Sequence, residues 1–580
     1  MSTPVARAGF AGLATVAAAL GHGKRRCIEK GFRMRFRKGR FGALAVSVAL
    51  CPPLVGASKA IAAEPPAAGE AGVQVQVERF EVEGNTLLPA ERIDAVLARY
   101  RGAATLARLR EAAAAVQDLY REAGFGGVVA FLPGQTASGG VVRIRVVEGK
   151  LSGVRVSGNK RYSPEAIRAT LPALQEGRTP EVRLIDAQLQ LANENPGRNI
   201  QVLLQPGSEP ATIEAQLSVT EQSPARATLR VDNTGSKTSG RWRTALGWQH
   251  ADLFGTGQVL TLEAQTAPRD AKNVKVLSGA WRLPLPQWLS TVDAFAAWSD
   301  VKTGGTSTAA GDLDFQGRGS VLGVRGTRYL PRWDTVDQRV SLGLDWREYR
   351  NQCTIDGLPE AACGSAGASV ALHPISLTYT AQSAGELPWG LSLSVQGNSG
   401  IGGRRAGPQD FEAVRAGATR LYSFGRVSAN VGTGPLAWLG NAGLTVQFSG
   451  QATGSTLVPG EQFGIGGAQS VRGYDEREIN GDNGAQVSVE LVSASLIEKF
   501  LDQPALLRLL LLADAGHVNN PNGDNCQDKR SSCRIGSMGV GLRFAVRDVS
   551  ARIDVARAFA AGSRTEKGDV RAHASFTVAF

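Results

Sequence analysis

The chain lacks the common chemical signatures. It carries no HExxH, GxSxG, CxxC or P-loop pattern, and its five histidines are scattered. Without those metal, nucleophile and phosphate motifs no catalytic residue, metal or cofactor is expected, and the chain does not read as an enzyme. Gly464-x-Gly466-Gly467 follows no βαβ unit and misses the dinucleotide fingerprint, so it reads as a loop turn. Cysteine is scarce, with six in 580 residues. Cys27 and Cys51 lie near the N-terminus, and the other four form two close pairs, Cys353 with Cys363 around TIDGLPEAA and Cys526 with Cys533 around QDKRSS. Neither interval has zinc spacing or histidines, and both are polar and turn-like, which predicts two local disulfides in oxidising surface loops. Long helical patterns are also few. The 70 glycines and 26 prolines predict many turns and an all-β bulk in a chain long enough for more than one domain.

An excess of positive charge is missing where it would matter. The formal net charge is +12, but residues 1–63 hold eleven of the 64 Lys/Arg and one of the 52 acids. That leaves 53 bases against 51 acids, near +2, and removes the case for nucleic acid. The basic stretch Arg33–Arg40 precedes an apolar run from Phe41 to Val55 and the small residues Ala60-Ile61-Ala62-Ala63. This is the pattern of a signal peptide over 1–63, with Met34 a second possible start, and it predicts export. Residues 64–74 read as a short linker.

What is present first is a repeat. Phe80, Gly84, Asn85 and Ile93 recur as Val154, Gly158, Asn159 and Ile167, always 74 residues on. Two copies of one α+β domain follow, at 75–150 and 151–222, each reading strand, helix, helix, strand, strand. Leu106, Leu109, Ala113, Val116 and Tyr120 recur at helical spacing before Gly124, and Gly126–Leu132 and Val141–Val147 supply strands. In the second copy Ser163-Pro164 opens a helix, Leu184, Gln188 and Leu191 mark another, and Ile200–Leu204 and Ile213–Val219 read as strands.

From residue 225 the period becomes two. Val340, Leu342, Leu344 and Trp346 alternate with polar neighbours, and Trp281, Trp288 and Trp333 stand at segment ends. Sixteen strands are expected: 226–233, 240–250, 257–266, 273–283, 290–301, 313–329, 335–349, 368–383, 389–400, 415–431, 441–453, 484–497, 506–517, 533–546, 549–558 and 570–580. The last puts Ala572, Ala574, Phe576, Val578 and Phe580 on one face and Arg571, His573, Ser575 and Thr577 on the other. Between the eleventh and twelfth lies a long loop, 454–483, dense in glycine around Val471-Arg472-Gly473-Tyr474.

Three motifs carry a family resemblance. Val471–Tyr474 after a Gly-Gly turn resembles the sixth-loop motif of the Omp85 superfamily of outer-membrane barrels. Leu512-Ala513-Asp514-Ala515-Gly516 resembles its inner-wall motif. Leu132-Pro133-Gly134-Gln135 with Gly139-Gly140 resembles the signature of the first polypeptide-transport-associated (POTRA) domain in two-partner secretion transporters. The fold so implied is two small α+β POTRA domains followed by a 16-stranded antiparallel transmembrane β-barrel over 225–580. The location implied is the outer membrane of a Gram-negative bacterium, with the POTRA domains periplasmic. The function implied is capture of an unfolded exported β-helical adhesin or haemolysin and its secretion through the barrel. The other partners implied are outer-membrane lipid and the barrel-assembly machinery. The runner-up is a barrel-assembly factor of the same superfamily. Arg472 and Asp514 are expected to pair inside the barrel and lock the loop, together with Val471, Gly473 and Tyr474. Val128, Val129, Phe131, Gln135, Ile200 and Val202 are expected to bind the partner by strand addition, so that Val129→Pro should weaken capture. Many members carry a plug helix before the first POTRA domain, and the short 64–74 linker leaves no room for helix and linker together.

Overall fold

The computed structural model describes residues 74–580 except 137, 238, 309–310, 356–364, 366, 386 and 522–529, and gives backbone alone at 138, 302–308, 311–316 and 352–355. The leader and all but residue 74 of the linker lie outside the described residues.

Two small domains come first. Domain one contains β1 (Val75–Val77), β2 (Arg79–Glu83), α1 (Ala90–Leu97), β3 (Gly102–Ala104), α2 (Leu106–Glu122), β4 (Val128–Phe131) and β5 (Val141–Glu148). Its sheet runs β2-β5-β4, with β2 parallel and β4 antiparallel to β5, while β1 and β3 form a separate ribbon. Domain two contains β6 (Lys150–Ser157), α3 (Pro164–Arg168), α4 (Val182–Asn193), β7 (Arg198–Pro206) and β8 (Thr212–Glu221), in the matching order β6-β8-β7. Sequence chemistry sets the helix ends. The Thr105 hydroxyl accepts the Arg108 N–H at 3.4 Å to open α2, and Gly124 at φ +101 ends it. The Ser163 hydroxyl accepts the Ala166 N–H at 3.1 Å, with Pro164 in the first helical position. Each helical layer covers one face of its sheet, burying Ile93, Leu97, Val116 and Ile144 in domain one and Leu151, Ile167, Ala215 and Leu217 in domain two.

The repeated Gly-Asn has a physical cause. Gly84 and Gly158 sit at φ +85 and +80, and a Cβ on either would lie 2.3 Å from the Val146 or Val219 carbonyl oxygen. Only glycine fits where the chain leaves the first strand across the neighbouring one. Asn85 and Asn159 then donate to the carbonyl three residues on, at 2.8 and 2.9 Å.

Ala225–Asp232 to Val570–Ala579 close a barrel of sixteen antiparallel strands among the described residues. In this count Val370–Leu372 and Pro374–Ser383 form one strand interrupted at His373, and Lys499–Phe500 is the foot of a hairpin. The last strand pairs with the first through Ser575–Ala579 and Thr228–Asp232, and Phe580 exchanges hydrogen bonds with Ala227. Leu246, Leu277, Leu322, Leu342 and Val540 are exposed on the outer wall, whereas Arg282, Asp293, Arg347, Glu490, Asp514 and Asp554 line the lumen. The two parities thus resolve as apolar outside and charged inside.

Some boundaries differ from the periodic reading. The expected strands 290–301, 313–329 and 335–349 are Ser290–Thr308, Gly311–Trp333 and Val336–Ile355, because ladder pairing continues through polar sequence that reads as loop. The expected 415–431 begins only at Ser423. Before it lies α5 (Pro408–Val414), opened by Pro408 and by Asp410 accepting the Gly407 N–H at 2.8 Å. The expected 484–497 ends at Val492, since the Ser493 and Ser495 hydroxyls accept the Leu509 and Leu507 N–H groups and side chains replace backbone in the ladder.

Domain two abuts one end of the barrel. Ala187 and Leu191 of α4 pack on Leu289 and Tyr329, and Glu194 pairs with lumen-facing Arg282 at 2.8 Å and Arg339 at 2.9 Å. Asn195 donates to the Ala251 and Gly257 carbonyls of a barrel turn at 2.6 and 3.0 Å. The even-numbered links therefore meet domain two, and the loop around Arg472, an odd-numbered link, enters from the opposite end.

Candidate functional site

That loop, between strands Gly443–Ala452 and Asn483–Val492, folds back as a ribbon pairing Phe463–Ile465 with Ile479–Gly481. Gly466 and Gly467, at φ +109 and +104, turn the chain at the ribbon's end toward the lumen wall. Arg472 is 2 % exposed there. Its Nε and Nη2 donate to the two oxygens of Asp514, each at 2.7 Å, and its backbone N–H donates to Asp514 Oδ2 at 3.0 Å. This is the two-pronged fork that a planar guanidinium makes and an ammonium cannot. Nη2 also donates to Ser488 Oγ at 2.9 Å, Nη1 reaches Glu490, and Asp554 stands 3.8 Å away. Arg543 and Arg552 bind Asp554 at 2.6 and 2.7 Å. Three guanidiniums thus face three carboxylates, a balance that makes burial of so many charges tenable.

The neighbours of Arg472 secure the tip. Val471 is buried with Ile465, Ile479 and Val518. Gly473, at φ +92, donates its N–H to His573 Nε2 at 3.0 Å, and a Cβ there would stand 3.1 Å from the Ala556 oxygen. The fully buried Tyr474 places its hydroxyl 2.9 Å from the carbonyl oxygens of Gly536 and Ala560, donating to one at a time. Asp475 pairs with Arg571 and Arg564, and Glu478 accepts N–H groups of Asp475 and Thr565 at 3.0 and 2.9 Å. Ser488, Glu490, Asp554, Arg543, Arg552 and His573 were not singled out by sequence. Their signal was parity, because all lie on lumen-facing positions of their strands.

The other expected sites fare differently. Val129 and Phe131 are exposed on β4, Val128 and Ile200 are buried, and Val202 of β7 is half-buried. β4 and β7 are both edge strands. Gln135 is already bonded within its own domain, bridging the N–H and C=O of Arg143 at 2.7 Å each. The Ala130 N–H points away from β5 to Gln117 Oε1 at 3.2 Å, so by alternation Val129 donates inward to β5. A proline at Val129 would therefore break the domain's own ladder, and the open-edge donor is that of Val128. On β7 the Ile200 N–H and C=O are both taken by the Asn193 amide, at 2.7 and 2.9 Å, which leaves the outward groups of Val202 and Leu204 as the open stretch. Cys533 is buried and disulfide-bonded. Cys363 and Cys526 lie outside the described residues, and Cys353 is described by backbone alone.

Comparison with known proteins gives one consistent answer. Residues 213–544 match the family described as haemolysin secretion/activation protein ShlB/FhaC/HecB, and residues 75–149 match the POTRA domain, ShlB-type. The outer membrane transporter CdiB of Escherichia coli O6:K15:H31 (strain 536 / UPEC) is 24% identical over 79% of this chain and 75% of the relative. The heme/hemopexin transporter protein HuxB of Haemophilus influenzae is 24% identical over 38% of each chain. The solved structure of CdiB from Escherichia coli superimposes with TM-score 0.75 at 19% identity, covering 89% of this chain and 93% of that one. CdiB from Acinetobacter baumannii gives 0.69 at 16%, covering 88% and 91%.

Proposed function

Because this chain belongs to the haemolysin secretion/activation protein family, the transporters of two-partner secretion in the Omp85 superfamily, we propose how its parts divide that work. It is an outer-membrane translocator that acts with a secreted exoprotein, and its POTRA region is periplasmic. In our reading the two small domains hold the unfolded exoprotein, a large β-helical chain, in extended form. The open edge at Val202 and Leu204 offers backbone pairing that tolerates varied sequence, and exposed Val129, Phe131 and Leu203 offer apolar contact. The barrel then conducts the chain outward past loop six, whose tip must leave its seat. Folding of the exoprotein outside supplies the drive, and no reaction is catalysed. The apolar outer wall meets outer-membrane lipid, and the final strand ending in Phe580 is what the assembly machinery reads.

The observation that carries the gating half is the buried fork of Arg472 on Asp514. Removing one partner of a buried pair leaves a charge uncompensated, at a cost of roughly 3–5 kcal/mol. Arg472→Ala is expected to reduce secreted exoprotein per inserted barrel most. Asp514→Ala should reduce it less, since Glu490 still holds Nη1. The double variant should be no worse than Arg472→Ala, as residues acting as one unit are non-additive, and Arg472→Lys should fail in part. Additive losses in the double variant would overturn the pairing as a unit.

A further inference from the structure

Loop six is held at two places, and the two differ in what leaving would expose. At the tip, departure of Arg472 removes one of three cations, but Arg543 and Arg552 remain on Asp554, and Arg543 stands 3.6 Å from Glu490. The wall left behind is still largely neutralised.

The root is built otherwise. Asp482, where the chain leaves the loop, is 1 % exposed and accepts both prongs of Arg415, Nη1 at 2.5 Å and Nη2 at 3.0 Å. It also accepts the Leu457 N–H at 3.1 Å and Gln462 Nε2 at 3.2 Å, and its own backbone is held by Asn520 at 2.7 Å and Gln451 at 2.9 Å. Glu461, 0 % exposed, is bound by Arg347 at 2.6 Å and Gln396 at 2.7 Å. Arg415 directly follows α5, whose Phe411 is buried with Leu457, Val458, Tyr422 and Phe424. Lifting the root would expose that cluster and strand two carboxylates at once. Between root and tip runs the hydrogen-bonded ribbon Phe463–Ile465 with Ile479–Gly481, a stiff arm.

We infer that Arg415 and Asp482 are a fixed hinge: loop six swings at its tip while its root stays closed, and the fifth outer link, through α5 and Arg415, is a positioning element for translocation. This rests on the reading above that the tip leaves its seat. The fork of Arg415 joins the loop's exit at Asp482 to its entry at Leu457, whose carbonyl Nη1 also binds at 2.6 Å, so both ends of the arm turn about one point.

The test bridges each place with the same short bismaleimide linker and measures secreted exoprotein per inserted barrel, with conductance in planar bilayers. Arg415→Cys with Asp482→Cys, unbridged, should lose secretion and raise the open fraction about tenfold. Bridging should restore both, because a covalent root does what the fork does. Arg472→Cys with Asp514→Cys, once bridged, should not secrete. If bridging the root blocks secretion while bridging the tip also blocks it, the root must move and the hinge is wrong. If the bridged tip still secretes, the gating reading fails instead. The charge-exchanged pair Arg415→Asp with Asp482→Arg keeps the question open to measurement should the cysteine pair fold poorly. Partial recovery of low conductance relative to either single change supports the hinge, and none overturns it.

Discussion

The two periplasmic domains share a scaffold and use one position of it in opposite ways. In each, a carboxylate at the end of the sheet caps the Gly-Asn turn. Glu148 accepts the Thr86 and Leu87 N–H groups at 2.8 and 3.0 Å, and Glu221 accepts those of Lys160, Arg161 and Tyr162 at 2.8, 2.9 and 3.2 Å. In domain one the turn is closed from within, by the Tyr120 hydroxyl of α2 on Glu148 at 3.1 Å and on Asn85. Burial, then the Glu148 charge, pushes that phenol well above its ordinary range, so it stays a donor. In domain two the tyrosine is Tyr162, which lies under Arg198 at 4.8 Å beside the barrel turn, while α4 is committed to Leu289, Tyr329, Arg282 and Arg339. Domain one completes itself; domain two is completed by the barrel. The difference teaches that a repeat preserves its backbone constraints and lets side chains of the same scaffold serve stability in one copy and docking in the other.

The largest expected effect separates the copies outright. Alanine at Gly84 or Gly158 forces a positive φ and a Cβ 2.3 Å from a carbonyl oxygen, at a cost of at least about 1–3 kcal/mol, a large fraction of a small domain's stability. Gly84→Ala should raise amide exchange throughout residues 75–149 and leave domain two and the barrel protected. Gly158→Ala should do so in domain two and also loosen the Leu289–Tyr329 end of the barrel. Equal exchange patterns in the two variants would break the comparison.

A middle-sized effect sharpens it for capture. Val202→Pro removes an outward donor from the open stretch of nine-residue β7, and on an edge this leaves the ladder to β8 intact. Losing one such hydrogen bond, about 0.5–1.5 kcal/mol, should weaken exoprotein binding by up to about tenfold in a fluorescence titration. Val128→Pro, on four-residue β4 with Ala130 already sealed by Gln117, should matter less. The reverse order would assign capture to domain one.

How much of this was legible varies with the physics. The repeat and the strand count were, because burial imposes periods of two and 3.6 on sequence; Val340 to Trp346 and Leu109 to Tyr120 show it directly. α5 was not, since PQDFEAV offers one buried residue, Phe411, and no second turn of apolar spacing. The lumen parity told which side Glu490, Asp554 and His573 face but not their height along the strand, and height decides which of them meets Arg472. The Arg472–Asp514 pair was legible only through motif resemblance, for nothing local ties positions 42 residues apart. Likewise the donor direction at Val129 needs a ladder register, which no pattern of side chains supplies.

The smallest expected effect tests whether the turn caps are as local as their geometry suggests. Burial alone would raise the Glu221 carboxyl, but the N–H groups of Lys160, Arg161 and Tyr162 outweigh it and hold the group below its ordinary 4.5. A depressed folded-state pKa means stability present above 4.5 and lost as pH falls through the lower folded value. Glu221 is largely exposed, so solvent screening keeps the contribution under about 1 kcal/mol. Acidification below pH 4.5 should therefore increase exchange at the 159–162 turn of domain two before the barrel responds. Glu221→Gln should show slightly faster exchange there at neutral pH and no further acid step, because a neutral amide has no proton to gain. Domain one, whose turn is also closed by Tyr120, should not change in the Glu221→Gln protein. An acid step that survives the substitution would place the titrating group elsewhere in domain two and remove the carboxylate cap from the features the two copies share.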